Sequence, residues 1–164
     1  MITETWFIEN VADAPWMTNA VGGDACVFES DEREFGQIGY TLAVLQPGQG
    51  GGYYHKELDN QEDFLVLSGE CIAIIENEEH HLKQWDFVHC PPGTEHAFVG
   101  AGAAPCLLFC IGSRQSRNIA YVRNELALRH GISAQQDTTS SAEAYADRPK
   151  WEHGRRVDWP LPLA

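Results

Sequence analysis

Residues 52–100 constrain this chain more than any other stretch. His55, Glu57 and Glu62 stand just before a continuous apolar run, Phe64 to Leu67, which stops at Ser68-Gly69. Further on, Pro91-Pro92-Gly93 makes a turn three residues before His96. In an extended strand, side chains two apart point to the same face, so His55 and Glu57 project together. If the two segments meet, two imidazoles and two carboxylates converge, a mixed nitrogen–oxygen set for a divalent metal. The same side chains could instead bond one another and a few waters. Adjacent carboxylates repel, however, unless one is protonated or a cation lies between them, which favours the metal.

The flanking sequence reads as short strands cut by turns. Residues 5–11 form one, Asp13 to Trp16 a break, and Cys26 to Glu29 the next, closed by a charged turn at Ser30 to Glu34. Residues 36–46 alternate, with Ile38, Tyr40, Leu42 and Val44 on one face, and Pro47-Gly48 ends them. Gly50-Gly51-Gly52 gives a tight bend. Cys71 to Ile75 and Glu79 to Leu82 flank Glu76-Asn77-Glu78 as a hairpin, and Trp85 to Cys90 and Cys106 to Ile111 complete the set. Seven or eight short strands, with no helical period before residue 113, predict an all-β sandwich or barrel over residues 1–112. Residues 113–164 form a tail. It carries one helix over Glu125 to His130, capped by Gly131, and a second from the capping box Ser140 to Glu143 through Ala146. From Pro149 onward, Trp151, Trp159, Pro160 and Pro162 describe an extended segment that needs apolar cover, so the tail is expected to pack on a barrel.

The two central segments resemble the paired motifs of the cupin superfamily, G-x5-H-x-H-x3-4-E-x6-G and G-x5-P-x-G-x2-H-x3-N. His55, Glu62 and Gly69 match the first motif; Pro91, Gly93 and His96 match the second. Glu57 stands where a second histidine is usual, Trp85 replaces the opening glycine of the second motif, and Gly100 replaces its closing asparagine. The resemblance covers residues 36–112 and, with the Trp-Pro near the end of the tail, extends to small single-domain bacterial cupins of unassigned activity. It implies a double-stranded β-helix, an antiparallel jelly roll, and dimerisation through the sheets. One divalent transition metal is expected at His55, Glu57, Glu62 and His96; with no thiolate among them, iron, manganese, nickel and zinc all suit the donors.

Two functions follow. One is a metal-dependent enzyme acting on a small oxygenated metabolite, as a dioxygenase, isomerase, epimerase or decarboxylase, with Glu57 or Glu62 as the catalytic base. The other is a non-enzymatic cupin that binds a small molecule or a metal. His55, Glu57 and His96 also have the composition of a 2-His-1-carboxylate triad. The barrel half offers only Arg33 to hold a keto-acid carboxylate, which disfavours 2-oxoglutarate chemistry.

Charge narrows the partners. The net charge is −13, and residues 1–112 carry 18 acidic against 3 basic side chains, whereas the tail carries 6 against 8. That balance argues against nucleic acid and favours neutral or cationic small-molecule ligands. It also suits a homodimer in which the arginine-bearing tail lies on an acidic barrel. No apolar run is long enough for a bilayer, and Met1 to Asn10 holds no basic residue, so a cytoplasmic protein without membrane contact is expected. Five cysteines, an odd number without Cys-x2-Cys spacing, read as free thiols. His80 and His81 read as solvated at the hairpin exit, and His89, sharing a face with Phe87, as a surface or pocket-lining residue.

Overall fold

A computed structural model describes residues 6–30 and 33–154. Its first strands are β1 (Trp16–Asn19), β2 (Gly23–Cys26) and β3 (Ile38–Leu45). The motif stretch supplies β4 (His55–Glu57), β5 (Glu62–Ser68), β6 (Glu70–Ile75), β7 (Glu78–Lys83), β8 (Phe87–Cys90) and β9 (His96–Ala101). Then come β10 (Cys106–Ser113), β11 (Ile119–Tyr121), helices α1 (Glu125–Arg129) and α2 (Ser141–Ala144), and β12 (Glu152–Gly154).

Antiparallel pairing assembles a seven-stranded sheet, β12-β1-β2-β3-β10-β5-β8, and a five-stranded sheet, β11-β4-β9-β6-β7. Period-two patterning decides what each face meets. Leu45, Phe64, Val66 and Leu108 of the first sheet close on Cys71, Ala73 and Phe98 of the second, forming the interior core. The alternate residues Leu42, Val44 and Leu107 pack with Ala14, Trp16 and Cys26 in a second cluster. β3 is therefore apolar on both faces toward its C-terminal end. Full burial of each large side chain here stabilises by about 1.5–3 kcal/mol. The β6–β7 turn is a two-residue hairpin, with Glu76 at φ 48° and Asn77 at φ 69°, matching the right-handed twist of the strands it joins.

The tail adds β11 and β12 as edge strands to the five- and seven-stranded sheets, and its helical part covers the five-stranded sheet. Asn124 caps α1 by accepting from Ala127 N–H at 2.9 Å, and Ser140 caps α2 by accepting from Glu143 N–H at 3.3 Å. Ala127 and Ile132 pack on Tyr54, Ile74, Ala97 and Val99. Gly50 permits this: a Cβ there would lie 1.9 Å from Ile132 Cγ2. Trp151, 39% exposed, lies over Gly22; Trp159, Pro160 and Pro162 are outside the described residues.

The N-terminal expectations need correction. Residues 6–10 form no strand. Phe7 instead stacks on Phe35, with Arg33 over its ring, while Trp6 and Ile8 are exposed. The first strand begins at Trp16, immediately after the proline read as a breaker, a position at which proline costs no ladder hydrogen bond. The next strand ends at Cys26 because Phe28 adopts φ 56°, which no strand tolerates.

Candidate metal centre

β4 and β9 place His55 directly opposite His96 in antiparallel register, with ring centroids 4.7 Å apart. Glu62 opens β5 in the other sheet and reaches across to both. Its Oε2 lies 3.4 Å from His55 Nε2 and 3.1 Å from His96 Nε2, and the three candidate ligand atoms fall within 4.8 Å of one another. Both rings are oriented from behind: His55 Nδ1 lies 2.7 Å from Tyr53 O, and His96 Nδ1 lies 3.0 Å from Thr94 O. A carbonyl oxygen only accepts, so each Nδ1 carries a proton and donates it. In the neutral rings each Nε2 then turns a lone pair toward Glu62.

Three acceptors thus face one another. With both rings neutral, Glu62 Oε2 and His96 Nε2 are buried with no hydrogen-bond donor between them, an arrangement that costs about 1–3 kcal/mol per group; a second proton on an imidazole, or a cation, relieves it. Burial would raise the Glu62 pKa, but His55 and His96 outweigh it and hold the carboxyl at about 2. Burial would depress His55, yet Glu62 more than offsets that and raises it. An anionic oxygen and two neutral imidazole nitrogens, each fixed by a hydrogen bond to its far side, fit a divalent cation of the iron, manganese, nickel or zinc type.

Glu57 lies beside this group but not in it. Its Oε2 accepts from Asn60 Nδ2 at 3.0 Å. Burial raises its pKa, Asn60 opposes, and the charge of Glu62 adds to the rise. His80 and His81 are exposed, and the exposed His89 pairs with Asp63 at 2.6 Å.

Two cavities open on the group. One of about 240 Å³ is mainly apolar and is lined by Leu45, Phe64, Phe98 and Trp151 as well as by His55 and His96. The other, of about 770 Å³, is polar and includes Glu57, Asn60, Arg114, Ser116, Arg117 and Tyr121. Glu62 lines both. Arg114 and Arg117 lie beyond the barrel half, whose one arginine, Arg33, bonds Glu9 near the N-terminus. Arg114 forms a two-pronged pair with Glu29, and Arg117 lies 3.4 Å from Glu34. Their position just after the long strand β10 was the available signal.

All five cysteines are free thiols. No helix among the described residues is long and apolar enough to cross a membrane.

Residues 41–112 match the family model for the cupin domain. Over 96 residues the chain is 28% identical to a glucose-6-phosphate isomerase of Pyrococcus furiosus, covering 51% of this chain and 50% of that one. Its fold is similar to that of a cupin-superfamily sugar phosphate isomerase from Silicibacter pomeroyi, with a TM-score of 0.57 at 18% identity over 91% of each chain. It is also similar to Streptomyces PAC13 with uridine, with a TM-score of 0.53 at 15% identity over 66% of this chain and 82% of that one. These likenesses establish the double-stranded β-helix. The chain spans about half the length of the curated relatives it matches, 45% and 50%.

Proposed function

We propose that this protein, a member of the cupin superfamily through its domain at residues 41–112, is a metal-dependent enzyme of the isomerase type acting on a small polyhydroxylated carbonyl compound. One observation carries the reading: Glu62 Oε2 and His96 Nε2 are buried and 3.1 Å apart with no donor between the carboxylate and the neutral ring, an arrangement that a cation would relieve. His55, Glu62 and His96 would hold the metal, and the metal would supply Lewis-acid polarisation of a carbonyl oxygen.

The remaining chemistry belongs to side chains of the larger cavity. Glu57 is the base. Its carboxylate takes the proton from the hydroxyl-bearing carbon beside the carbonyl and returns it to the former carbonyl carbon, while the hydroxyl proton passes to the former carbonyl oxygen, so the carbonyl shifts by one position and no co-reactant is consumed. A pKa raised by burial suits that role. Ser116 and Tyr121 line this cavity and offer hydrogen bonds to hydroxyl groups. The isomerases among the relatives support this class of substrate.

The test is solvent-proton exchange. Protein loaded in turn with Mn(II), Ni(II), Zn(II) or Fe(II) is incubated in D2O with aldoses, ketoses and their phosphates, and followed by NMR. Deuterium entering beside the carbonyl of at least one compound, only with metal present, is the expected result. Metal-loaded protein that exchanges and converts none of them would leave a metal-binding cupin without this activity.

A further inference from the structure

Asn60 is the most completely engaged polar side chain near the site. It is 5% exposed, sits in the loop between β4 and β5, and fills its whole hydrogen-bonding capacity. Its Oδ1 accepts from the backbone N–H groups of Gln115 at 2.8 Å and Ser116 at 3.3 Å. Its Nδ2 donates to Ser116 O at 2.9 Å and to Glu57 Oε2 at 3.0 Å. The two backbone donors decide the orientation of the amide, because a flipped amide would turn N–H against N–H. With the oxygen pinned, the nitrogen must face Glu57.

Glu57 has another place to go. It shares a strand face with His55, two residues away, and it feels the charges of Glu62, His55 and His96. Unrestrained, a carboxylate there would be drawn to a cation held by those three residues. We propose that Asn60 is a positioning residue, which keeps Glu57 out of the metal's ligand set and presents it to the large cavity as the proton-transfer group. This rests on the metal-dependent reading above.

The rim does not need Asn60 to stay folded. Ser113 N donates to Gln61 O at 2.9 Å, Gln61 N to Ser113 Oγ at 2.9 Å, Leu58 N to Asn118 O at 2.8 Å, and Ser116 Oγ to Asp59 Oδ2 at 2.8 Å. Those bonds join the 58–61 loop to the 113–118 loop independently. Asn60→Asp is the informative variant, since it retains an acceptor for the Gln115 and Ser116 amides while setting an anion against Glu57. Glu57→Gln keeps an acceptor for Asn60 but removes the carboxylate.

The experiment loads the full chain with Co(II) and records uptake, affinity and the visible absorption bands, none of which depends on turnover. Wild type and Glu57→Gln are expected to bind cobalt alike and to give the same spectrum. Asn60→Asp should shift the bands and tighten cobalt binding on the order of tenfold as Glu57 swings in. Asn60→Asp combined with Glu57→Gln should return the wild-type spectrum, a reversal that mere loosening of the loop would not produce. In the exchange assay, Asn60→Asp should lower kcat by roughly 10–100-fold with a smaller change in KM. A spectrum altered by Glu57→Gln alone would show Glu57 already ligating, and an unchanged spectrum in Asn60→Asp would show no restraint; either overturns the proposal. Cobalt uptake without exchange of any sugar defeats the isomerase reading alone, and the cobalt series still decides the role of Asn60. Failure to take up cobalt overturns both.

Discussion

Glu62→Gln should stabilise the metal-free protein and destabilise the metal-loaded one. In the metal-free state above the imidazole pKa range, Glu62 Oε2 meets two nitrogen lone pairs at 3.1 and 3.4 Å, because both Nδ1 atoms hold the protons. A glutamine amide is nearly isosteric and turns an N–H donor toward those nitrogens. It relieves at least one buried unsatisfied acceptor, worth about 1–3 kcal/mol. For a domain of this size each kcal/mol moves Tm by about 2–4 °C, so a rise of roughly 2–12 °C is expected at pH 8.5 in the presence of a chelator. With metal at a hundredfold excess over its Kd, wild type gains about 2.7 kcal/mol, or roughly 5–10 °C. The variant, lacking the anionic ligand, should gain little. The two melting curves therefore exchange order on adding metal. Calorimetry of both proteins, with and without Mn(II) or Zn(II), reads this directly. A variant that is less stable in both conditions would show that the imidazoles donate hydrogen bonds to Glu62 even at that pH. Equal stabilisation of both proteins by metal would show that Glu62 is not a ligand.

Other expectations follow from the same structure. The folded pKa of His55 is raised, burial being outweighed by Glu62. Its stabilisation is therefore fully present below the unfolded value of about 6.5 and is lost as pH rises through the folded one. Metal-free Tm should fall with pH across that window, while metal affinity should rise as protons cease to compete for the imidazoles; a pH-independent affinity measured by titration calorimetry would count against histidine ligation. Gly100→Asn, restoring the residue usual in the motif, should cost about 3 kcal/mol, since a Cβ there would lie 2.2 Å from Gln46 O, and a Tm unchanged within a degree or two would refute the crowding. Thiol titration of the unfolded, unreduced protein should count the five free cysteines, and one or fewer would contradict the reading. We expect a homodimer that covers Trp85 and Phe87, 67% and 61% exposed at and beside the edge strand β8. Light scattering should show Trp85→Ser with Phe87→Ser shifted to monomer, and a monomeric wild type would end the idea.

Most of the barrel was legible because its signals are local. Alternation in residues 36–46, the Glu76-Asn77 turn and the run Phe64 to Leu67 each fix a strand or turn without help from distant residues. Helix α2 was legible through Ser140, although Glu143 does not complete the reciprocal half of the capping box and instead accepts from Thr138 Oγ1 at 2.6 Å. The N-terminal segment was misread because Phe7 and Ile8 resemble strand residues in composition, whereas ladder partners are decided by the whole sheet. Trp85 shows the converse. It occupies φ 74°, the backbone region the motif's glycine would favour, so the local geometry survives a substitution that ought to oppose it at about 1–2 kcal/mol.

The site divides along the same line. His55, Glu62 and His96 meet because strand register brings them together, and register follows from patterning. Glu57 satisfies that patterning equally well, yet its orientation is decided by Asn60, and Asn60 is oriented by backbone groups at Gln115 and Ser116, some 55 residues away in sequence. Spacing within a strand cannot report such a contact. The same holds for the rim cations: Arg114 and Arg117 reach the large cavity only because β10 runs back across the sheet beside β5. Arg114 is committed to Glu29 by two bonds, whereas Arg117, with 93% of its side chain exposed, is held by a single pair of a kind worth about 0–1 kcal/mol. The metal-type donors therefore set what reaction is possible. Under the proposed isomerase reading, the choice between a neutral and an anionic substrate would fall to the few side chains of the 113–118 loop, outside the motifs.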